Sequence, residues 1–282
     1  MKMLKYLTAI VSIIFLASCE KHEIEFAGEQ AMDSNVAELR LHYVEPVGST
    51  SAAANQFDSL YINGVLYANH TNTFGVWNVM PNSNKFYIAN PGTVNIKCWR
   101  GGVDPIYDFD IQATKGKQDV FIYDIEQAPE VLPFEFPLKR NYSANVTNFD
   151  TDSVAYVEFY NFLYEEYGSN KVPYAGTLQC EYQDSRTQEW IKVGEPVAFG
   201  EQSGRVPVKV IKEEYISQGS QTIPFRMVTS DNKVLMYTNT DGEEVEWTNN
   251  FTLTIGRGYM FYVGGIRTDK VITTTIVTKT IH

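Results

Sequence analysis

Short runs in which apolar and polar residues alternate, each stopped by turn-forming residues, recur along most of this chain. Residues 37–44 alternate with period two, the pattern of a strand that buries one face. Further strand-like runs occupy residues 57–67, 75–79, 85–89, 93–99, 107–113 and 119–125, with Gly, Pro and Asn between them. Short strands at such regular spacing predict a β-sandwich.

One of these runs also specifies its turn. Asn63-Gly64 lies between apolar residues of the 57–67 run. Both residue types tolerate the positive φ that a two-residue hairpin turn requires. We therefore predict a β-hairpin centred on this pair.

Composition favours an all-β fold and excludes one class of partner. Hydrophobic residues make up 44% of the 282 residues, enough for packed cores, and 13% are aromatic. Aromatic and β-branched residues favour strands. The formal net charge of −11 repels phosphate backbones, so we expect no nucleic-acid partner.

The pattern restarts in the second half of the chain. Residues 154–160 parallel residues 36–42, and residues 256–263 parallel residues 116–123. A repeated unit is the economical explanation. We therefore predict two tandem β-sandwich domains, at residues 36–126 and 144–282. A Pro-rich linker at residues 127–143 joins them.

Some segments fit this plan less simply. Residues 203–221 read as an insertion, within which residues 206–214 fit either a strand or a short helix. The Thr-rich tail at 272–281 alternates as an edge or final strand would. In the linker, Phe134 and Phe136 are candidates to pack into the domain junction.

A known family matches the first copy. Residues 37–125 resemble the repeat called domain of unknown function 4397, through A-E-L-R-L-H-Y-V, F-D-S-L-Y-I-N-G, W-N-V-M-P-N, G-T-V-N-I and G-K-Q-D-V-F-I-Y-D. The resemblance implies an immunoglobulin-like or transthyretin-like sandwich, often in tandem, in bacterial surface and secreted proteins. It implies no established activity. The second copy lacks a clear counterpart of the F-D-x-x-Y-x-N-G segment.

The amino terminus has the layout of a secretory signal peptide. In residues 1–18, Lys2 and Lys5 precede an apolar stretch at 7–16. That stretch is too short to span a bilayer as a helix. We therefore predict that residues 1–18 are removed after export.

The end of this leader resembles the lipobox of bacterial lipoproteins. It reads Leu-Ala-Ser-Cys and ends at Cys19. The resemblance implies cleavage before Cys19 and acylation of both its thiol and the new amino terminus, which together give stable membrane attachment. The alternative is an ordinary secretory signal whose cleavage site contains a cysteine.

Residues 19–35 form a polar, acidic tether that cannot bury enough apolar surface to fold. Its acidic start resembles the surface-export signal of some Bacteroidetes lipoproteins, although Lys21 and His22 interrupt the acids. We expect an outer-membrane lipoprotein that faces either the periplasm or the cell surface.

Few residues offer nucleophilic or acid–base chemistry. There is no Gly-x-Ser-x-Gly elbow and no C-x-x-C motif. His42 reads as a surface or satisfied strand histidine, and His70 as a loop residue. Cys98 and Cys180 could pair in an oxidising compartment, but they lie in different predicted domains, each within a strand-like run, so we favour two buried free thiols.

Acidic and aromatic residues are the remaining candidates for a site. Asp104, Asp108 and Asp110 fit a hard-cation site or a glycosidase pair, but a solvated strand face explains them equally well. Exposed aromatic rings near Asn or Asp suit sugar stacking, although sandwich cores also use aromatic residues. Trp190, among polar residues, is a candidate ligand contact, and cross-strand packing is the alternative. The other tryptophans are Trp77, Trp99 and Trp247.

Two triplets, at 58–60 and 152–154, resemble the O-glycosylation motif of Bacteroidetes envelope proteins. They make Ser59 and Ser153 candidate glycosylation sites.

Taken together, these features predict a non-enzymatic, lipid-anchored envelope protein without a cofactor or metal. We expect it to bind or scaffold a glycan or another envelope protein, in adhesion or matrix contact. The alternatives are a glycan-binding accessory lipoprotein of a polysaccharide-uptake system and, third, a carboxylate-dependent glycosidase.

Overall fold

The computed structural model describes residues 35–45, 56–69, 74–76, 78–81, 85–134, 154–167, 170–210, 219–268 and 271–281. They belong to one compact unit that begins at Asn35. Within these ranges the regular structure is entirely β-strand, so the all-β prediction is confirmed. None of the described segments is a helix with the length and apolar character needed to cross a membrane.

The first half of the chain forms two principal sheets. Its strands are β1 (Ala37–Tyr43), β2 (Gln56–Phe57), β3 (Ser59–Ile62), β4 (Val65–Ala68), β5 (Phe74–Gly75), β6 (Val79–Met80), β7 (Tyr87–Ala89), β8 (Gly92–Trp99), β9 (Tyr107–Ala113), β10 (Gly116–Ile122) and β11 (Glu130–Pro133). Sheet 1 has the order β4-β3-β8-β9. Sheet 2 has the order β11-β10-β1, and β6 and β7 both pair with the far edge of β1. Strands β2 and β5 form a separate two-stranded pair.

The second half has the same plan. Its strands are β12 (Val154–Tyr167), β13 (Asn170–Pro173), β14 (Leu178–Gln183), β15 (Trp190–Lys192), β16 (Gln202–Lys209), β17 (Ser220–Thr229), β18 (Met236–Thr238), β19 (Glu244–Glu246), β20 (Thr248–Thr254), β21 (Gly258–Thr268) and β22 (Val271–Ile281). Sheet 3 runs β12-β21-β22-β18-β19, with β13 and β16 both on the far edge of β12, and sheet 4 runs β15-β14-β17-β20.

The strand pairings of the two halves correspond. In sheet 2 the opening strand β1 lies parallel to the closing strand β10, and in sheet 3 β12 lies parallel to β21. The Gly116 amide donates to the Val36 carbonyl, and the Gly256 amide donates to the Val154 carbonyl. Sheets 1 and 4 are antiparallel with matching strand order. The segments that the sequence relates to each other therefore occupy corresponding positions, while the exact domain boundaries stay a prediction.

Each half has its own hydrophobic core. One core joins side chains of sheets 1 and 2, among them Leu39, Leu60 and Ile96. The other joins side chains of sheets 3 and 4, among them Phe159, Phe225 and Val263. Because each core is shared by two facing sheets, each half is a two-layer sandwich.

A third cluster joins the two sandwiches. It contains Val44, Phe121, Tyr160, Phe162, Met260 and Tyr262, which we call the joint. These residues come from the faces of sheets 2 and 3 that point away from the two sandwich cores. The four sheets are therefore layered in the order 1, 2, 3, 4, with the parallel strand pairs in the middle.

The joint explains one difference from the sequence prediction. The alternation of residues 37–44 predicts a strand with one solvated face, yet Arg40 and His42 on that face are fully buried. Tyr262 of sheet 3 packs on His42, and the rings of Phe86 and Phe134 lie over Arg40. Period-two polarity marks two different faces, but it does not say whether a second sheet covers the polar one.

Three local predictions can be compared with the described residues. Asn63 and Gly64 have φ of 49° and 77° and connect β3 to β4, which confirms the hairpin. Part of the predicted linker, Glu130–Pro133, instead pairs with β10 as an edge strand, a position where a proline is tolerated. Gln202–Lys209 is a strand, whereas residues 211–218 and Phe136 lie outside the described residues.

Candidate functional site

Polar side chains line the outer face of sheet 1. Because successive residues of a strand point to opposite faces, Val94 and Ile96 enter the core while Asn95 and Lys97 face outward. On β9, Asp108 and Asp110 likewise face outward, opposite Lys97 and Asn95.

These polar groups are held by one another. The Asn95 side-chain amide donates to Asp108 Oδ1 at 2.9 Å and to Asp110 Oδ1 at 2.8 Å. Lys97 Nζ lies 2.8 Å from Asp108 Oδ2. The Asn95 backbone amide donates to Asn63 Oδ1 at 2.9 Å, which ties the hairpin turn to the same face. The arrangement is therefore fixed before any ligand arrives.

Two aromatic rings continue this face. Tyr61 and Trp99 lie edge to face with their ring centroids 5.0 Å apart, on the strands β3 and β8. The Trp99 indole N–H donates to the Val103 carbonyl at 3.3 Å, which holds the indole ring against the neighbouring loop. Ser59, a candidate glycosylation site, is half-buried and pairs with Trp99 across the strands.

We call Tyr61, Asn95, Lys97, Trp99, Asp108 and Asp110 together the aromatic–amide face. The hydrogen bonds from Lys97 and Asn95 hold the pKa of Asp108 below its usual range. An acid that donates a proton in glycoside hydrolysis needs the opposite, a raised pKa. The aromatic–amide face offers ring surfaces and hydrogen-bonding groups, and Asp108 is not poised as a general acid.

The described residues contain no group of three His, Cys, Asp or Glu side chains placed to hold a metal ion. Asp108 and Asp110 both accept a hydrogen bond from the Asn95 side-chain amide. Asp104 lies in the loop before β9 and does not join them in such a group. The structure therefore brings together two of the three acids that the sequence singles out.

Trp190 is a poorer candidate for a ligand contact. It is half-buried on β15, and the Arg226 guanidinium lies 4.3 Å from its ring centroid. Arg226 is in turn paired with Glu181 at 2.8 Å. This stacking across strands is the alternative that the sequence analysis set beside ligand contact.

A second polar cluster lies inside the molecule, and the sequence analysis missed it. Arg40 Nε and His42 Nε2 lie 2.6 Å and 2.7 Å from Asp119 Oδ1, and a terminal guanidinium nitrogen of Arg40 lies 2.9 Å from Oδ2. All three side chains have no exposed surface. The rings of Phe86 and Phe134 lie over the guanidinium, 5.2 Å and 4.7 Å from it.

This buried cluster corrects one reading of His42. The histidine is not on the surface; it is a buried strand histidine that is bonded to Asp119 through Nε2 alone. The available signal was the pair Arg40 and His42 at alternate positions, facing an acid on the closing strand of the same half. Its significance depends on the parallel pairing of β1 with β10, which only the tertiary structure shows.

Both predicted free thiols are confirmed. Cys98 and Cys180 are unpaired and fully buried, one in each sandwich core. Burial raises the pKa of both thiols, so neither is a poised nucleophile.

Of the other candidate residues, Trp247 is buried in the second core. Four other candidates, Cys19, His70, Trp77 and Ser153, lie outside the described residues.

The fold and faces described above define an all-β protein of stacked sheets. No family model matches the chain. No curated protein matches it either. The resemblances to the lipobox and to domain of unknown function 4397 therefore stay predictions.

Three solved structures are similar to parts of the chain. A candidate cell adhesion protein from Bacteroides uniformis aligns at 9% identity over 88% of this chain and 98% of its own, with a TM-score of 0.27. The Bacillus anthracis TIE protein aligns at 9% identity over 84% of this chain and 34% of its own, with a TM-score of 0.18. A minor pilin of Streptococcus agalactiae aligns at 10% identity over 85% and 98%, also with a TM-score of 0.18. TM-scores this low do not establish a shared fold, so the all-β assignment rests on the strands of this chain.

Proposed function

We propose that this chain is a non-enzymatic envelope protein, anchored by a lipid on Cys19, that binds or scaffolds a partner in adhesion. One observation carries the proposal. His42 and the Asp119 carboxylate bonded to it are sealed inside the molecule with Arg40, whereas the aromatic–amide face is open and held in place by its own hydrogen bonds. A binding surface needs such a fixed, exposed arrangement, and an active site needs its reactive groups in reach of substrate.

The anchor is tested by changing the proposed acylation site. Cys19→Ser removes the thiol that carries the lipid, so the variant should incorporate no labelled fatty acid and should leave the membrane fraction. Cys98→Ala is the matched control, because it also removes one thiol but leaves the proposed anchor intact. Equal membrane association and labelling of Cys19→Ser and the unchanged protein would contradict the proposal. Protease treatment of intact cells then tells surface from periplasmic orientation.

Glycan binding is the second candidate function, and the aromatic–amide face favours it. The rings of Tyr61 and Trp99 lie on the same face as an amide and two carboxylates, the combination that stacks on sugar rings and hydrogen-bonds their hydroxyls. The test is isothermal titration of the protein against a panel of soluble polysaccharides. Trp99→Ala should weaken any binding at least about tenfold, given the cost of losing an aromatic contact.

Trp190→Ala is the matched control for that titration, since it removes an indole from a different face. Loss of binding in Trp190→Ala with Trp99→Ala unchanged would move the site to sheet 4. Absence of binding to every polysaccharide would contradict the glycan proposal while leaving the anchor test unaffected.

A further inference from the structure

Outside its own strand, the His42 ring contacts Asp119, Phe121 and Tyr262. The ring stacks on Phe121 with centroids 4.5 Å apart and an interplanar angle of 18°. Tyr262, on the other sandwich, meets it edge-on at 5.8 Å. His42 therefore sits at the joint, where sheet 3 separates it from water.

The hydrogen bonds of His42 define its protonation state. Asp119 also accepts from Arg40, so it is a carboxylate and can only accept. His42 Nε2 must then carry the proton that it shares with Asp119. Nδ1 is fully buried and has no hydrogen-bond partner. In the neutral ring Nδ1 is a bare lone pair, but protonation would create a buried, charged N–H without an acceptor.

We propose that protonation of His42 opens the joint, so that the two sandwiches are docked at neutral pH and separate in mildly acidic surroundings. Within each sandwich the sheets stay together, because the two cores do not depend on the histidine. Opening lets water solvate the imidazolium at Nδ1, which the docked form cannot do. The device would couple the exposure of the faces of sheets 2 and 3 to the acidity of the compartment.

The other charged and titratable groups near this surface do not replace His42 as the titrating group. They are Glu38 and Arg40 on β1, Lys117 and Asp119 on β10, Glu130 on β11, Glu158 and Tyr160 on β12, and Tyr262 on β21. Burial acts to raise the pKa of Asp119, but His42 and Arg40 outweigh it and the pKa is lowered, so Asp119 stays charged above about pH 4. Burial raises the pKa of Tyr160 further from neutrality. Burial also raises the pKa of Glu130, which makes Glu130 the group to control for.

Acidification favours the open form, because His42 binds a proton more tightly there than in the docked form. Burial lowers the pKa of His42 in the docked form, and Arg40 adds to this, although Asp119 opposes it. In the open form water reaches the ring, so the pKa of His42 rises toward its ordinary value of 6.5 and the histidine binds a proton more readily. Between these two pKa values the open form gains up to about tenfold in population for each pH unit of acidification. Above about pH 7 the effect is absent.

A thiol placed in the joint measures opening directly. Met260 is fully buried there, so the thiol introduced by Met260→Cys reacts with 4,4′-dithiodipyridine only when the joint opens. The full chain is assayed between about pH 7 and pH 5, with rates divided by those of a free thiol peptide at each pH and compared with the parent lacking Met260→Cys. We expect the normalised rate to rise at least about tenfold in this range. Cys98 and Cys180 should stay unreactive, since they lie in the two cores.

The matched variant is His42→Gln in the same background. Glutamine can still donate to Asp119 but does not titrate, so its rate should not change with pH. Glu130→Gln in the Met260→Cys background should show the same rise in rate as Met260→Cys alone. A flat rate with His42 present, or an equal rise with His42→Gln, would overturn the proposal, as would simultaneous reaction of the core cysteines.

An independent measurement covers the case in which His42→Gln does not fold. The Cε1–H resonance of His42 in the unchanged protein is followed by NMR across the same pH range. A docked protein in which His42 titrates near its ordinary pKa would overturn the proposal. Titration of His42 together with loss of the joint contacts would support it.

Discussion

At the scale of single residues, the buried cluster of Arg40, His42 and Asp119 is the least expected feature. Two strands of one parallel pair supply all three side chains. A buried carboxylate is tolerable when it is fully paired, and Asp119 accepts from both neighbours. The cluster is thus costly to interrupt even though it need not add net stability.

We predict that Asp119→Ala destabilises the protein by about 3 to 5 kcal/mol, because it leaves a buried guanidinium without its carboxylate. Asp108→Ala is the matched control: its ion pair with Lys97 is exposed, and such pairs contribute at most about 1 kcal/mol. Urea unfolding of both variants measures the difference. Equal losses in the two would show that burial does not determine the cost.

At the scale of elements, turns and strand edges set the connections within each sandwich. Gly194 lies in the turn after β15 with φ of 65°, where a side chain is strained. A Cβ there would also lie 2.6 Å from the Ser203 carbonyl oxygen. This contact with the backbone of β16 cannot be relieved by rotating a side chain.

We therefore predict that Gly194→Ala lowers the free energy of unfolding by about 1 to 3 kcal/mol. Gly102→Ala is the control, since the nearest atom to its added Cβ is at 3.7 Å, and it should stay within about 0.5 kcal/mol of the parent. Thermal unfolding followed by circular dichroism compares them. A neutral Gly194→Ala would mean that the turn can shift away from Ser203.

Individual strands and turns could be predicted from the sequence, whereas contacts between strands could not. The alternation of Val94, Ile96 and Cys98 predicts a strand, and Asn63-Gly64 predicts its neighbouring hairpin, because both signals are local. The aromatic–amide face was only half predictable. Asp108 and Asp110 share a face by their spacing, but their contact with Asn95 depends on the register of β8 against β9.

At the scale of the whole molecule, the joint determines whether the two sandwiches behave as one body. Phe121 is central to it, with ring contacts at 4.9 Å to both Tyr160 and Phe162. Two further links join the halves: Lys171 Nζ lies 2.5 Å from Glu45, and the Tyr164 hydroxyl donates to the Tyr123 carbonyl at 2.8 Å. Buried aromatic contacts of this kind couple the stability of the parts they connect.

We predict that the unchanged protein unfolds in one urea transition at neutral pH, and that Phe121→Ala costs about 3 to 5 kcal/mol and separates it into two. Phe225→Ala, in the core of the second sandwich, is the control: it should destabilise by a similar amount while leaving the halves coupled. Two transitions in the unchanged protein would contradict the role given to the joint.

By itself the sequence determined the all-β class, most strand positions and the hairpin turn, because these depend on side-chain alternation and on the φ that Gly and Asn tolerate. The buried state of both cysteines was also readable from apolar strand runs. Only the tertiary structure decided that the polar face of β1 is covered, that Arg40, His42 and Asp119 meet, and that Tyr61 and Trp99 adjoin Asn95. Those features arise from contacts between strands far apart in the chain, and no local pattern specifies which sheet will cover which face.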